Sequence, residues 1–381
     1  MPIDYLILKV AGKCNLACRY CYYMNGLAQP FRSAMTPATV RELFRKYLEY
    51  SVRRKIARVS FAWHGGEPLL AGKEFFRGVL RLQEDLFGGR LCYRNLIQTN
   101  ATLLDDEWAD LLKTGRFSVG VSLDGSPRSH NRDRRDHAGR GSWASACAGM
   151  AALRRGGVRF GTMTVMDPRL DGREVFERLY ALGVRKMEFN LPVGPPASRR
   201  RPPAGAYARF ACELFDAWIG KDDPAVEIGT LSSMIRLMVG GRAAHCHSAN
   251  NCSRYLTVEP NGDVGACENF RVLHPPPYLI GKNILSSSFE EIDEALETHF
   301  QQWRINAWPA SCRSCSALRA CVGGCSAHRY RRGRDFTVAN CFCEYYRRLV
   351  AHMAERMREE GAGSVAIDAF RRQTCQRKEI N

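Results

Sequence analysis

The sequence predicts an α/β fold: a partial (β/α)6 barrel, TIM-like but open, followed by a cysteine-rich region held together by metal. Three observations predict it. Short β-rich runs alternate with amphipathic helical stretches through the first half of the 381 residues, which implies a parallel sheet with right-handed crossovers. Six such units fall short of the eight that close a barrel. Of the 16 cysteines, all but Cys92, Cys147, Cys212 and Cys375 gather in two places, three near the N-terminus and a dense series between His245 and Cys343.

The strands are expected at residues 4–10 (DYLILKV), 59–65 (VSFAWHG), 95–100 (NLIQTN), 117–124 (FSVGVSLD), 158–166 (VRFGTMTVM) and 186–193 (KMEFNLPV). The first helix begins with Thr36 as N-cap and Pro37 at the first helical position. Further helices are expected over 73–86, 105–114, 143–155, 171–182 and 206–219. The Pro/Arg-rich stretch 193–205 (VGPPASRRRPPAG) reads as a loop or boundary. These signals divide the chain into a barrel at 1–220, a cysteine-rich domain at 221–350 and a C-terminal helix and tail at 351–381. No solenoid-length repeat is present.

Composition narrows the function classes. The hydrophobic fraction is 45%, ordinary for a folded soluble chain. No apolar stretch is long enough to span a bilayer, and the N-terminus has no secretion signal. A cytoplasmic location is therefore expected, where clustered cysteines serve metal or redox sites rather than disulfides. The net charge of +17, from 56 basic and 39 acidic residues, suits either a solvated arginine-rich surface or attraction for an acidic partner such as a peptide. No nucleic-acid-binding signature accompanies it, which argues against nucleic acid as the partner.

Cys14, Cys18 and Cys21 form C-x3-C-x2-C just beyond the first strand. Iron–sulfur clusters take cysteine thiolates, usually four, so three ligands leave one iron open. A zinc knuckle is the alternative. The spacing, placed after the first strand of a βα barrel, resembles the radical S-adenosylmethionine (SAM) superfamily. That resemblance implies that the open iron chelates SAM and that one electron releases a 5′-deoxyadenosyl radical. Further stretches support it. Tyr22 fits an aromatic position expected near adenine. HGGEP, ending strand two, supplies His64, Gly65, Gly66, Glu67 and Pro68, and the family uses this motif to contact the SAM amino group. Gln98 and Asn100 end strand three, and Ser122 and Asp124 of SLDG end strand four. Arg134 is the expected partner of the SAM carboxylate.

The second half carries Cys246, Cys252, Gly262 and Cys267, then Cys312, Cys315, Cys321 and Cys325, then Cys341 and Cys343. Taking one of the last pair gives eight thiols, the ligand count of two fully coordinated 4Fe–4S clusters; zinc ribbons use similar pairs. The series resembles the SPASM domain of peptide-modifying radical SAM enzymes. The resemblance implies three 4Fe–4S clusters, one binding SAM and two auxiliary. It assigns Cys246, Cys252, Cys267 and Cys325 to the first auxiliary cluster and Cys312, Cys315, Cys321 and Cys343 to the second, with Cys341 competing for the last place.

Within that class the sequence is read first as a maturase that removes a hydrogen from a ribosomally made precursor peptide and forms an oxidative cross-link of the cyclophane type. The alternative is an anaerobic sulfatase-maturating enzyme, which oxidises Cys or Ser to formylglycine. Those enzymes carry Gln in place of His64 and Asp in place of Glu268. Glu268 is the candidate proton acceptor, and His64 is placed with it in the catalytic set. A non-catalytic iron–sulfur electron carrier is the third reading, and HGGEP and SLDG argue against it. The expected partners are a precursor peptide, an electron donor such as flavodoxin or ferredoxin, and, as one option, a separate leader-peptide-binding protein.

Overall fold

The computed structural model describes residues 2–24, 33–193, 202–243, 245–273, 278–330 and 336–359. Most of the stretch at 193–205 and the tail beyond residue 359 lie outside them. The barrel segment runs β1 (Tyr5–Ala11), α1 (Pro37–Arg53), β2 (Arg58–Gly65), α2 (Lys73–Phe87), β3 (Cys92–Thr99), α3 (Asp106–Thr114), β4 (Ser118–Ser122), α4 (Pro127–Asp133), α5 (Trp143–Arg155), β5 (Phe160–Val165), α6 (Gly172–Ala181) and β6 (Lys186–Asn190). There follow α7 (Ala204–Lys221), β7 (Glu227–Ile228), α8 (Gly229–Met238), β8 (Tyr255–Val258), β9 (Asp263–Gly265), β10 (Leu279–Asn283), α9 (Phe289–Gln302), α10 (Leu318–Cys321) and α11 (Cys343–Glu359). The expected α/β class is the one observed. All six expected strands and their helices are present; α4, α8, α9, α10 and the short strands β7 to β10 are additional.

The chain groups into two compact units. The first comprises residues 1–123, 127–160 and 252–305; the second comprises 124–126, 161–251 and 306–381. In the first, β1 to β4 pair in parallel in chain order. β8 joins the free side of β1, also in parallel, and β9 and β10 continue antiparallel. The core is aromatic. Phe44, Phe61, Trp63, Phe76 and Phe87 are fully buried, with the Phe44 and Phe61 rings 4.9 Å apart. α1 supplies Val40, Leu43, Phe44 and Tyr47 from one face. Its start is as expected: Thr36 accepts from the Thr39 N–H at 3.1 Å, with Pro37 next.

In the second unit β5, β6 and β7 pair in parallel. Its core is formed by α6, α7 and α11, through Phe176, Leu179, Phe210, Phe215, Tyr345 and Leu349. Among the described residues no helix is long and apolar enough to cross a membrane.

Candidate active site

In the first unit the three-cysteine loop leaves the end of β1 and is held by backbone on two sides. Ala17 and Arg19 donate their N–H groups to Arg135 O and Asp133 O at 2.7 and 2.8 Å. Gly66 N–H donates to Ala11 O at 2.7 Å, and Glu67 N–H to Lys13 O at 3.0 Å. These approaches require glycine. A Cβ on Gly66 would lie 2.1 Å from Lys13 O, and one on Gly65, where φ is +134°, 2.4 Å from Ala11 O. The two glycines of HGGEP therefore seat the cysteine loop against β2. Asn100 donates to Asn15 Oδ1 at 2.9 Å and reaches Cys14 Sγ at 3.8 Å.

The thiols receive backbone N–H groups: Leu16 to Cys14 Sγ at 3.4 Å and Met24 to Cys21 Sγ at 3.3 Å. Burial nevertheless pushes the Cys14 thiol up to about 12, with Glu67, Cys18 and Cys21 adding to the rise against the Leu16 N–H. Three thiolates in this loop need a positive partner, which the iron of a cluster supplies. Among the described residues no three His, Cys, Asp or Glu side chains converge on a point that would hold a single metal ion. Thiolates on a cubane each bind a different iron and need not converge, so the donor set fits a cluster.

Glu67 is buried. Its carboxylate accepts from Leu69 N–H at 3.1 Å, Thr99 Oγ1 at 2.7 Å and Asn100 N–H at 2.8 Å. Burial, opposed by those donors, raises it to about 7. Glu67 thus knits the end of β2 to the end of β3, and Pro68 follows it buried in a short turn. Gln98 donates to Ser122 Oγ at 2.9 Å, joining the next two strand ends. Arg134 is buried, with its guanidinium 5.2 Å from the centre of the Tyr20 ring in the cysteine loop. Asp124 lies in the second unit, where it accepts from Val165 N–H at 3.1 Å.

Glu268 and His64, expected together, are joined by a residue the sequence reading misses. Lys9, fully buried on β1, sits opposite His64 in the parallel register with β2. Its Nζ lies 3.2 Å from His64 Nδ1 and forms an ion pair with Glu268. Tyr22 hydrogen-bonds the same carboxylate. Burial alone would raise the Glu268 carboxyl, but Lys9, His64 and Tyr22 together hold it at about 2. Burial and the Lys9 charge push His64 down to about 4, with Glu268 pulling the other way. Beside it, Glu259 is buried against Arg271 and Tyr278, and Tyr23 donates to Glu259 at 3.4 Å. The signal for Lys9 was available: a charged residue in the middle of an apolar parallel strand. Glu259, Arg271 and Tyr278 belong to no local motif.

In the second unit Cys312, Cys315, Cys321 and Cys343 lie within electrostatic reach of one another. Burial pushes Cys321 up to about 12, helped by Cys343, Cys312 and Cys315. Cys343 is raised by burial and then by Cys312 and Cys315. Cys341 is exposed. Asn340 organises the turn, donating to Gly323 O at 3.2 Å and accepting from Phe342 N–H at 2.8 Å. Buried Arg329 donates to Ala307 O at 2.6 Å and Ser326 Oγ at 2.7 Å. Cys246 and Cys325 are also in this unit, whereas Cys252 and Cys267 are in the first.

Comparison with known proteins agrees with this chemistry. Residues 8–179 match the Radical SAM superfamily. A serine-type anaerobic sulfatase-maturating enzyme of Bacteroides thetaiotaomicron is 30% identical over 93% of this chain and 90% of its own length. A cysteine-type enzyme of Clostridium perfringens is 26% identical over 93% and 97%. The solved structure of native anSMEcpe with bound AdoMet superposes with a TM-score of 0.83 at 25% identity, covering 93% of this chain and 98% of that one. Streptococcus suis SuiB bound to precursor peptide SuiA shares the fold, with a TM-score of 0.58 at 16% identity over 90% and 76%. The cysteine loop, the strand ends around it and the full-length likeness lead to one conclusion: the chain is a radical SAM enzyme that catalyses an oxidation, and it belongs to the family of the anaerobic sulfatase-maturating enzymes.

Proposed function

We propose that the enzyme oxidises the side-chain carbon of a Ser or Cys in a sulfatase polypeptide to the aldehyde of formylglycine. The observation that carries this reading is the likeness to sulfatase-maturating enzymes over nearly the whole chain. The cross-linking reading has weaker support, because the likeness to SuiB is one of fold.

When bound, a 4Fe–4S cluster on Cys14, Cys18 and Cys21 supplies the electron that releases a 5′-deoxyadenosyl radical from SAM, and auxiliary clusters supply the acceptor for a second electron. Tyr22, Gly65, Gly66, Glu67, Pro68, Gln98, Asn100, Ser122, Asp124 and Arg134 are the proposed SAM contacts or their supports. Cys246, Cys252, Cys267 and Cys325 are the proposed ligands of one auxiliary cluster, and Cys312, Cys315, Cys321 and Cys343 of the other. The mutual reach of the last four and the exposure of Cys341 support Cys343 as the final ligand.

The oxidation takes from the target residue one hydrogen atom at Cβ, one proton from the hydroxyl or thiol, and one electron. The thioaldehyde formed from a Cys target then exchanges its sulfur for the oxygen of water, releasing hydrogen sulfide. The protein's own part is the proton. Glu268 is ionised and held in place by Lys9 and Tyr22, ready to accept it. A carboxylate held this acidic is a weak base, but the proton it takes is made acidic by the radical centre on the adjoining carbon. A flavodoxin or ferredoxin is the proposed electron donor, and the reducing cytoplasm the proposed location.

The test is anaerobic incubation with SAM, reductant and a sulfatase-derived peptide in Ser and Cys forms. The expected product reacts with a hydrazine, and one 5′-deoxyadenosine accompanies each aldehyde. A product lacking two hydrogens and inert to hydrazine would return the enzyme to the cross-linking class.

A further inference from the structure

His64 Nδ1 has two donors aimed at it. Gly65 N–H lies at 2.8 Å and Lys9 Nζ at 3.2 Å. The competing acceptor, Gly65 O, is farther, at 3.3 Å. A proton on Nδ1 would face the Gly65 N–H and the Lys9 ammonium, neither of which can accept it. The ring proton therefore belongs on Nε2, and among the described residues Nε2 makes no hydrogen bond. The imidazole is half-buried.

We propose that Lys9 is a positioning residue that fixes His64 as the Nε2–H tautomer, and that this Nε2–H donates to the side-chain heteroatom of the residue being oxidised. Lys9 organises both halves of the arrangement from one buried ammonium: it pairs with the carboxylate of Glu268, an acceptor, and holds Nδ1 of His64 so that the opposite ring nitrogen is a donor. A hydroxyl has one proton to give and lone pairs to receive a donor, so it satisfies both groups at once. A thiol also has a proton to give, but its S–H is a weak donor and its sulfur a weak acceptor. His64 thus discriminates in favour of Ser over Cys. The identity of the acceptor rests on the proposed oxidation of Ser or Cys; the tautomer does not.

The experiment has two arms, both on cluster-loaded protein without reductant. The first is 15N NMR of histidine-labelled enzyme, with His64→Gln identifying the resonance. Protonation at Nε2 alone is expected in the wild type and in Lys9→Arg, with tautomers mixed in Lys9→Met. Protonation at Nδ1 in the wild type would overturn the proposal. The second arm is anaerobic titration of SAM-loaded enzyme with sulfatase-derived Ser and Cys peptides. His64→Phe should weaken the Ser peptide about tenfold and the Cys peptide less than about threefold, the difference between a neutral hydrogen bond to oxygen and one to sulfur. His64→Gln, whose amide places an N–H near the position of Nε2, should bind the Ser peptide within about threefold of wild type. Equal losses for both peptides, or no rescue by Gln, would overturn the donor role. If the wild type binds neither peptide, the proposed substrate fails and the donor role with it, while the NMR arm still decides the tautomer.

Discussion

The two cysteine-bearing regions are built differently. In the first unit, the loop carrying Cys14, Cys18 and Cys21 is tied by backbone hydrogen bonds to the ends of β1 and β2 and to the segment after α4, and it rests on a sheet with an aromatic core. In the second unit, Cys312, Cys315 and Cys321 occupy a run of single turns. Cys315 N–H donates to Cys312 O at 3.1 Å, Leu318 N–H to Cys315 O at 3.0 Å, and Gly324 N–H to Cys321 O at 2.8 Å. The α-helix in this run, α10, has four residues. The difference teaches that one region keeps its shape from the sheet, whereas the other, on the proposed ligand assignment, is expected to depend on its cluster. Where a segment has little core of its own, metal binding is folding free energy.

The largest expected effect breaks the comparison if it fails. Cys315→Ser should lower both iron content and soluble yield, whereas changing Cys14, Cys18 and Cys21 together to Ala should leave a soluble protein of near-normal thermal midpoint that no longer forms 5′-deoxyadenosine. Iron analysis, yield and thermal unfolding decide it; equal damage from both sets would contradict the account. Next is chemistry inside the first unit. Glu268→Gln should keep SAM cleavage while slowing aldehyde formation roughly 10²–10⁴-fold, the usual worth of a positioned proton acceptor. Unchanged aldehyde formation would remove Glu268 from the mechanism.

A smaller effect concerns pH. Glu67 is raised from 4.5 to about 7 by burial, so the folded chain keeps a proton that the unfolded chain has lost. Its contribution to stability therefore falls as pH rises from the unfolded value to about 7 and is level above that. The change is on the order of 3 kcal/mol, taken as an upper figure. Urea midpoints against pH should show this slope in the wild type and not in Glu67→Gln; a slope shared by both would assign the proton elsewhere. At the small end, Arg45→Ala breaks exposed pairs with Glu42 and Glu49 and should leave the thermal midpoint unchanged.

Legibility in the sequence followed the same division. Alternating apolar runs of five or more residues located every barrel strand, and the polar motifs fell at strand ends because that is where βα sheets place them. The strands β7, β8 and β9 have two to four residues each, too few for a period to show, and α4 is a polar seven-residue helix without an apolar stripe. The cysteine spacing at 14, 18 and 21 pointed to the radical SAM superfamily because covalent ligation demands particular residue types at fixed separations. Lys9 and Glu268 are 259 positions apart, and no local pattern announces an ion pair that only tertiary packing creates. The place of Glu67 at a strand end was legible; that its carboxylate accepts from three protein donors was not.

The central claim is that this chain takes a hydrogen from the Cβ of a Ser or Cys in a sulfatase polypeptide and turns that carbon into an aldehyde. The most direct measurement uses a sulfatase-derived peptide whose target residue carries deuterium at Cβ, incubated anaerobically with SAM, reductant and the enzyme. Deuterium should appear in 5′-deoxyadenosine, in step with hydrazine-reactive aldehyde. Deuterium-free 5′-deoxyadenosine, or transfer of deuterium without any aldehyde, would contradict the account.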